Sequence, residues 1–339
     1  MKAIARCACE VMRVLFYQTA QFGSILLAAG SCLFAASPDG LLEPGAKVEK
    51  VAGGFQFTEG PVWDSDGGFL LFSDIPANAI MKWSPKDGVS VYRKQIFKGA
   101  YAPGTQVGTN GLAIDKEGRV VAAEHGDRRV ARFARDGAAT TLADKYEGKQ
   151  LNSPNDLVIR KNGDIYFTDP PFGLLRPGQA TPQDIAKNPD RDLDFNGVYR
   201  ITPAGKLEVL SKALALPNGL AFSPDEKKLY VADSAGKTWS VFDVKPDGTL
   251  GMDRIFFNAT GETGRGVPDG MKVDTAGNIW ATGPGGILVI SPDGKLLGTI
   301  AFPEDPANCA WGDADGKTLY VTARTGLYRI RTKIAGVRP

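Results

Sequence analysis

The sequence has a single histidine, His125, among 339 residues, and only four cysteines. One histidine per chain excludes a histidine-rich metal site and any mechanism that needs two imidazoles from one chain. Three of the cysteines lie within the first 36 residues, so the remainder of the chain keeps only Cys309 and cannot form an internal disulfide. Long amphipathic stretches with a period of 3.6 are also lacking between residues 46 and 332, which disfavours βα units and a parallel sheet.

The N-terminal segment accounts for the whole formal net charge of +2, because Lys2, Arg6 and Arg13 outnumber Glu10 there. The remainder is neutral and gives no reason to expect a nucleic-acid partner. No charged residue occurs from position 14 to 38, which predicts a cleaved signal peptide over residues 1–36 and a mature domain over 37–339. The alternatives are an N-terminal membrane anchor and a lipoprotein cleavage box at positions 29–32. We expect a periplasmic or secreted protein with no membrane contact beyond the leader.

A repeat organises the rest of the chain, which is rich in turn residues, with 41 glycines and 22 prolines. Six segments each begin with a polar residue, continue through a short apolar strand and a turn, and end in a second strand. The segments read EGPVW, NGLAI, NDLVI, NGLAF, DGMKV and NCAWG, and their first residues are Glu59, Asn110, Asn155, Asn218, Asp269 and Asn308. Their spacing leaves room for about four strands per unit.

Four-stranded units at this period predict an all-β fold, a six-bladed β-propeller. The sixth unit is followed by too few residues to supply an outer strand. Residues 46–52 alternate in polarity and lie just before the first unit, so we expect this N-terminal strand to complete the last blade and close the ring. The segment 171–196, which leaves the second strand of the third unit, is interpreted as a partial lid or as a solvated insertion.

The polar residues that open the units form a candidate metal site. In the propeller, Glu59, Asn155, Asn218 and Asp269 converge on the axis. Two carboxylates and two amides are a hard, all-oxygen ligand set that suits Ca²⁺. Mg²⁺, Mn²⁺ and Zn²⁺ remain open, although the lack of nitrogen and sulfur ligands disfavours zinc. The competing interpretation is that these residues are turn residues that bond only the local backbone.

Four of the segments carry a family resemblance. FTEGPVW, LNSPNDLV, LPNGLAFS and VPDGMKVD resemble the metal-ligand segments of the family that groups senescence marker protein, gluconolactonase and luciferin-regenerating enzyme, which are six-bladed propellers. YEGKQLNSPND and YFTDPPFGL are similar to its bacterial gluconolactonase branch. The resemblance implies a divalent-metal lactonase with Glu59, Asn155, Asn218 and Asp269 at the metal. One departure is Ser153, where the animal sugar-lactonase pattern has an arginine.

For a lactonase, Asp269 is the candidate general base or nucleophile, and a small-molecule lactone is the expected substrate. Asp156 is a weaker candidate, because neighbouring strand residues point to opposite faces. We assign substrate contact to four further residues at the same mouth, namely Asn110, His125, Asp169 and Arg324. Each of the last three also has a structural interpretation. His125 is then a rim or hydrogen-bonding residue positioned by Glu124 or Asp127, Asp169 caps the lid turn, and Arg324 is a solvated surface residue. The oligomeric state is left open.

Two other functions stay open at this point, because a fold does not settle an activity. An organophosphate hydrolase would use the same metal to attack phosphorus instead of carbon. A non-enzymatic binding propeller would use Ca²⁺ only to lock the blades.

Overall fold

The described part of the chain forms six four-stranded antiparallel sheets, as the repeat predicts, and short turns join most of their consecutive strands. The main exception is the long connection from Asp169 to Gly197 in the third sheet. The computed structural model describes residues 38–134, 137–175, 185 and 188–338, so the expected leader lies outside the described residues. The first three sheets contain β2 to β5 (Thr58–Asp64, Phe69–Asp74, Ala79–Ser84, Gly88–Lys94), β6 to β9 (Thr109–Ile114, Val120–Glu124, Arg129–Phe133, Ala139–Ala143) and β12 to β15 (Leu157–Ile159, Ile165–Asp169, Gly197–Ile201, Leu207–Ser211).

The other three sheets complete the set. They contain β16 to β19 (Pro217–Phe222, Lys228–Asp233, Thr238–Asp243, Arg254–Asn258), β20 to β23 (Met271–Val273, Ile279–Gly283, Gly286–Ile290, Leu296–Ile300) and β24 to β26 (Pro306–Gly312, Thr318–Ala323, Gly326–Arg331) with β1 (Glu49–Gly53). A small hairpin, β10 (Lys145–Tyr146) and β11 (Lys149–Gln150), precedes the third sheet. Two 3₁₀ turns are η1 (Asp39–Leu41) and η2 (Phe172–Leu174).

The sheets form a closed ring around an axis lined by the first strand of each. β2 contacts β6, β6 contacts β12, and the series continues through β16, β20 and β24 back to β2. This is the six-bladed propeller that the sequence predicts, and a closed ring leaves only short outer edges unpaired. No helix in the described part of the chain is long and apolar enough to cross a membrane.

The ring closes through the N-terminal strand, as predicted. β1 pairs antiparallel with β26, with Glu49 opposite Arg329 and Gly53 opposite Gly326. The observed strand covers residues 49–53, slightly later than the predicted 46–52. The outer strand of the last blade therefore comes from the N-terminal part of the chain, whereas its other three strands come from the C-terminal part.

Apolar side chains fill the spaces between neighbouring blades. At the closing seam, Leu70 and Phe72 of the first blade pack with Ala310 and Leu327 of the last. Trp63 also stacks on Tyr320 of the last blade, with ring centroids 5.5 Å apart and planes 11° from parallel. An aromatic pair of this kind contributes about 0.5–1.5 kcal/mol beyond the area it buries. The two chain ends are thus joined by packing as well as by strand pairing.

Candidate functional site

The six repeat-opening residues lie at the start of the innermost strands, around one end of the axis. Five of them are almost fully buried, and Asp269 is partly exposed. The backbone is irregular there: the pairing of β2 with β3 shifts register after Glu59, and β6 and β16 shift at Asn110 and Asn218. Bulges of this kind re-aim side chains out of the regular alternation. Local irregularity in these blades therefore turns Glu59, Asn110 and Asn218 out of the regular strand alternation. The convergence of Asn155 with the other three predicted ligands stays a prediction.

Glycine follows the repeat-opening residue in four of the six blades, because adjacent inner strands approach closely at this level. A Cβ on Gly60, whose φ is +50°, would lie 1.9 Å from the Asn110 carbonyl oxygen of the next blade. A Cβ on Gly270 would lie 2.0 Å from Asn308 Cγ. Any larger residue at these glycine positions would force the blades apart and widen the ring of polar groups.

Three carboxylates face one another at this end of the axis. Burial and the charge of Asp156 raise the pKa of Glu59 to about 7, against the opposing effect of the Gly60 N–H group. The pKa of Asp269 is raised well above its ordinary value by burial and by the charges of Glu59 and Asp156, although Asn218 donates a hydrogen bond to it. Like charges held close together make the ionised state costly. The cluster is therefore a place where a cation would be strongly favoured.

Asp156 belongs to this cluster, contrary to the expectation that it would point away from the axis. β12 begins only at Leu157, so Asp156 lies in irregular backbone where strand alternation does not apply. Asn308 Nδ2 lies 3.3 Å from Asp156 Oδ2 and 3.0 Å from Glu59 Oε2, and thus joins the two carboxylates. The sequence did contain a signal: Asp156 occupies the repeat position where four other blades have glycine.

His125 and Asn110 form a buried pair. Asn110 Nδ2 lies 3.3 Å from His125 Nε2, and Asn110 Oδ1 is buried without a hydrogen-bond partner among the described residues. Burial lowers the pKa of His125 to about 4, so the imidazole is neutral at pH 7. His125 is only 1% exposed, and its contact with Asn110 is compatible with the hydrogen-bonding interpretation. A substrate contact by this pair stays a prediction.

Asp169 anchors the loop that precedes the inner strand. Its Oδ2 accepts a hydrogen bond of 2.8 Å from the Asn152 N–H group, and the side chain is fully buried. Asp74 and Asp233 end the second strands of two other blades. They accept equivalent hydrogen bonds from the N–H groups of Phe57 and Leu216. This repetition gives Asp169 a structural role in the loop before the inner strand. Its predicted substrate contact and its predicted cap of the lid turn stay predictions.

Arg324 lies at the open edge of the same end, with its side chain 54% exposed. Its Nη2 is 3.3 Å from Asp305 Oδ2, which also pairs with Arg265 at 2.8 Å. The guanidinium is 5.9 Å from the ring centroid of Phe57. Arg324 is thus accessible to a ligand at the mouth, but the structure does not bring it into the buried cluster.

The start of the long connection after β13 covers His125. Ser153 Oγ accepts a hydrogen bond from Gly173 N at 2.8 Å and donates one to the Pro170 carbonyl oxygen at 2.7 Å. A Cβ on Gly173 would lie 2.6 Å from His125 Cβ, so the chain passes directly over the imidazole. The predicted lid over 171–196 falls partly on residues outside the described part of the chain.

Comparison with known proteins decides the family. Residues 57–325 match the family model described as the SMP-30/Gluconolactonase/LRE-like region. The chain belongs to this family. The resemblance drawn from the four sequence segments is therefore confirmed.

Individual relatives of this SMP-30/gluconolactonase/LRE-like chain are lactonases. It is 38% identical to a gluconolactonase of Zymomonas mobilis over 88% of this chain and 85% of the relative. It is 28% identical to a 6-deoxy-6-sulfogluconolactonase of Pseudomonas putida over 78% of this chain and 82% of the relative. A solved gluconolactonase of Xanthomonas campestris superposes with a TM-score of 0.75 at 34% identity, over 88% of this chain and 93% of that one.

Proposed function

We propose that this protein is a divalent-metal-dependent lactonase that opens a sugar lactone of the gluconolactone type to its hydroxy acid. The observation that carries the proposal is the carboxylate cluster at the end of the axis, where the charge of Glu59 acts on Asp269 and Asn218 donates a hydrogen bond to Asp269. Asn155 is the fourth predicted oxygen ligand. Several relatives are named as lactonases, which supports lactone hydrolysis as the reaction class. The sequence predicts the same class. Metal dependence rests on the donor set of this chain.

The residues fit a hard divalent cation. Burial and the charge of Asp156 raise the pKa of Glu59 to about 7, and the pKa of Asp269 is raised in the same direction, so both carboxylates lack a cationic partner of sufficient strength. No group of three or more His, Cys, Asp or Glu side chains within the described ranges is arranged to hold a metal. The candidate set therefore depends on amide oxygens as well as on two carboxylates, which is a Ca²⁺-like coordination.

Lactone hydrolysis adds one water across the ring ester, so that the acyl C–O bond breaks and a carboxylate and a hydroxyl form. A divalent ion held by the four predicted ligands would polarise the lactone carbonyl group. Asp269 is the partly exposed carboxylate of the cluster, so it is the group that can accept a proton from the attacking water. Glu59 is 2% exposed and hydrogen-bonded to Gly60 and Asn308, which suits a fixed ligand better than a base.

The proposal is tested with D-glucono-1,5-lactone as substrate, by following acid release with a pH indicator. Chelator-treated protein should show no turnover above the spontaneous rate, and added Ca²⁺ should restore it. Glu59→Gln should need a higher Ca²⁺ concentration for the same activity, while Asp66→Asn, an exposed carboxylate in the turn after β2, serves as the control. Full activity of metal-free protein would contradict the metal requirement. Turnover of a phosphofluoridate but not of the lactone would favour the organophosphate alternative, and turnover of neither would favour a binding propeller.

We also propose that the chain is exported. The support is the uncharged stretch from position 14 to 38 and the retention of only one cysteine, Cys309, beyond the leader. Fractionation of expressing bacteria, followed by N-terminal sequencing of the mature protein, tests this. Recovery of the intact N-terminus in the cytosolic fraction would contradict it.

A further inference from the structure

Lys272 directs a positive charge into the central channel, close to the three carboxylates. It lies in β20, and its Nζ is 3.1 Å from the Met271 carbonyl oxygen and 3.5 Å from Asn308 Oδ1. Its side chain also lines a cavity of about 990 Å³ at the opposite end of the inner strands, away from the repeat-opening residues. The ammonium group therefore lies between this cavity and the carboxylate cluster.

The hydrogen bonds around Asn308 fix the orientation of its amide. Asn308 Oδ1 accepts a hydrogen bond of 2.8 Å from the Cys309 N–H group and also faces Lys272 Nζ. Asn308 Nδ2 faces Glu59 Oε2 at 3.0 Å and Asp156 Oδ2 at 3.3 Å. The reversed amide would place its NH₂ group against two donors and its oxygen against two carboxylates. Lys272 and the two carboxylates thus hold Asn308 from opposite sides.

The formal charges in this arrangement leave the cluster two units negative. Glu59, Asp156 and Asp269 supply three negative charges when ionised, and Lys272 supplies one positive charge. The remaining charge equals that of one divalent cation. Asp156 is not needed as a metal ligand in the proposed function, and the positive charge of Lys272 acts on the neighbouring Glu59.

We propose that Lys272 is a built-in counter-charge and a positioning residue, which offsets one of the three carboxylates through Asn308 and so keeps Glu59 oriented before any cation binds. The expected effect of Lys272 on Ca²⁺ binding rests on the proposed function, whereas its expected effect on the stability of the metal-free protein does not. Two consequences of opposite sign follow. Without the ammonium, the metal-free cluster is more repulsive, so the metal-free protein is less stable. The same change makes the cluster more negative, so an added cation is attracted more strongly.

The test compares Lys272→Met with Lys272→Arg, which keeps the charge, and with Lys295→Met. Lys295 is an exposed lysine in the turn between β22 and β23 of the same blade, so the control loses the same charge far from the channel. The melting temperature is measured on chelator-treated protein at a pH high enough for the three carboxylates to be ionised, and the dissociation constant for Ca²⁺ is measured by calorimetry at the same pH and low ionic strength. Turnover is not required for either readout.

For Lys272→Met we expect the metal-free melting temperature to fall by about 3–6 °C and Ca²⁺ to bind about threefold or more tightly. Lys272→Arg should remain near the wild type in both measurements, and Lys295→Met should change neither. A lysine that only packs in the channel would weaken Ca²⁺ binding and lower the melting temperature together, and that result would overturn the inference. Wild-type values for Lys272→Met in both measurements would overturn it as well.

Two further outcomes separate this inference from the proposed function. If the wild-type protein binds no Ca²⁺, the proposed metal dependence fails, while the metal-free melting temperatures still decide whether Lys272 offsets the carboxylates. If Lys272→Met does not fold, Lys272→Gln is assayed in its place. A metal-free melting temperature of Lys272→Gln equal to that of the wild type would then overturn the inference, and a lower one together with tighter Ca²⁺ binding would support it.

Discussion

Ser153 Oγ lies 2.8 Å from Gly173 N and thereby ties the start of the long connection to the edge of the candidate site. The same hydroxyl reaches the Pro170 carbonyl oxygen at 2.7 Å. Ser153 occupies the position at which the animal sugar-lactonase pattern has an arginine. In this chain, the backbone of η2 lies directly beside His125 and Ser153. The mouth is therefore shaped by the loop at this point.

Replacement of Ser153 by alanine should loosen this loop. Two hydrogen bonds are lost, each of which contributes about 1 kcal/mol, so we expect KM for the lactone to rise about five- to tenfold with little change in kcat. Steady-state kinetics on gluconolactone provide the measurement. Ser90→Ala, an exposed serine in β5, serves as the control. An unchanged KM would show that the tie between Ser153 and Gly173 does not shape substrate binding.

Truncation of the N-terminus tests the closure of the ring. A chain that starts at Gln56 lacks β1, which exposes the edge of β26 and removes Leu42 from the core of the last blades. We expect a loss of several kcal/mol in the free energy of unfolding, measured by urea denaturation. A chain that starts at Ser37 should unfold like the full-length protein. Equal stability of the two truncated chains would contradict closure through β1.

The stability of the protein should depend on pH through Asp169. Burial raises the pKa of this carboxyl from 3.8 to about 7, against the opposing effects of the Asn152 N–H group and the Arg128 charge. A raised pKa favours the protonated acid in the folded state, so its contribution to stability is present below about pH 4 and is lost as the pH rises through 7. Asp169→Asn does not ionise. Relative to the wild type, its melting temperature should therefore increase between pH 5 and pH 8.

Asp144→Asn is the control for this pH series, because Asp144 is an exposed carboxylate in the connection after β9. A constant difference in melting temperature between Asp169→Asn and the wild type across the pH range would mean that the buried carboxyl of Asp169 does not titrate in this interval.

The fold could be predicted almost completely from the sequence, because each blade repeats one local pattern. A polar residue, a short apolar strand and a turn recur six times, and a missing outer strand is visible from the length of the C-terminal segment. The strand of residues 49–53 was placed within a few residues for this reason. Because the same pattern occurs in six units, a wrong strand boundary in one unit has little effect on the predicted fold.

The candidate site was harder to predict because its geometry departs from the regular pattern. The assignment of Asp156 to the opposite face assumed strand alternation, but the strand begins one residue later. The role of Asn308 in joining Glu59 to Asp156 depends on contacts between the first, third and last blades, which no local pattern contains. His125 was predicted to lie at the mouth, but its cover by Gly173, which lies 48 residues further along the chain, is not visible in any local pattern.

Two matched substitutions test whether Asp269 accepts a proton from the attacking water in addition to serving as a metal ligand. Asp269→Asn and Glu59→Gln each replace one carboxylate of the cluster by an amide of the same size, and each should weaken Ca²⁺ binding because one negative charge is lost. Both variants are therefore assayed at saturating Ca²⁺, with occupancy confirmed by calorimetry. Any difference that remains between them reflects the chemistry of the side chain instead of the charge of the cluster.

At saturating Ca²⁺ we expect Asp269→Asn to lose at least about 10²-fold in kcat, because a positioned base contributes about 10²–10⁴-fold to the rate. Glu59→Gln should recover most of the wild-type kcat, since Glu59 is buried and hydrogen-bonded to Asn308 and Gly60, where an attacking water cannot reach it. Equal losses in the two variants would mean that both residues act only through the charge of the cluster. Recovery of wild-type turnover by Asp269→Asn would make Asp269 a ligand only, and the proton acceptor would then have to be sought among the other groups at this end of the axis, with Asp156 the first to test.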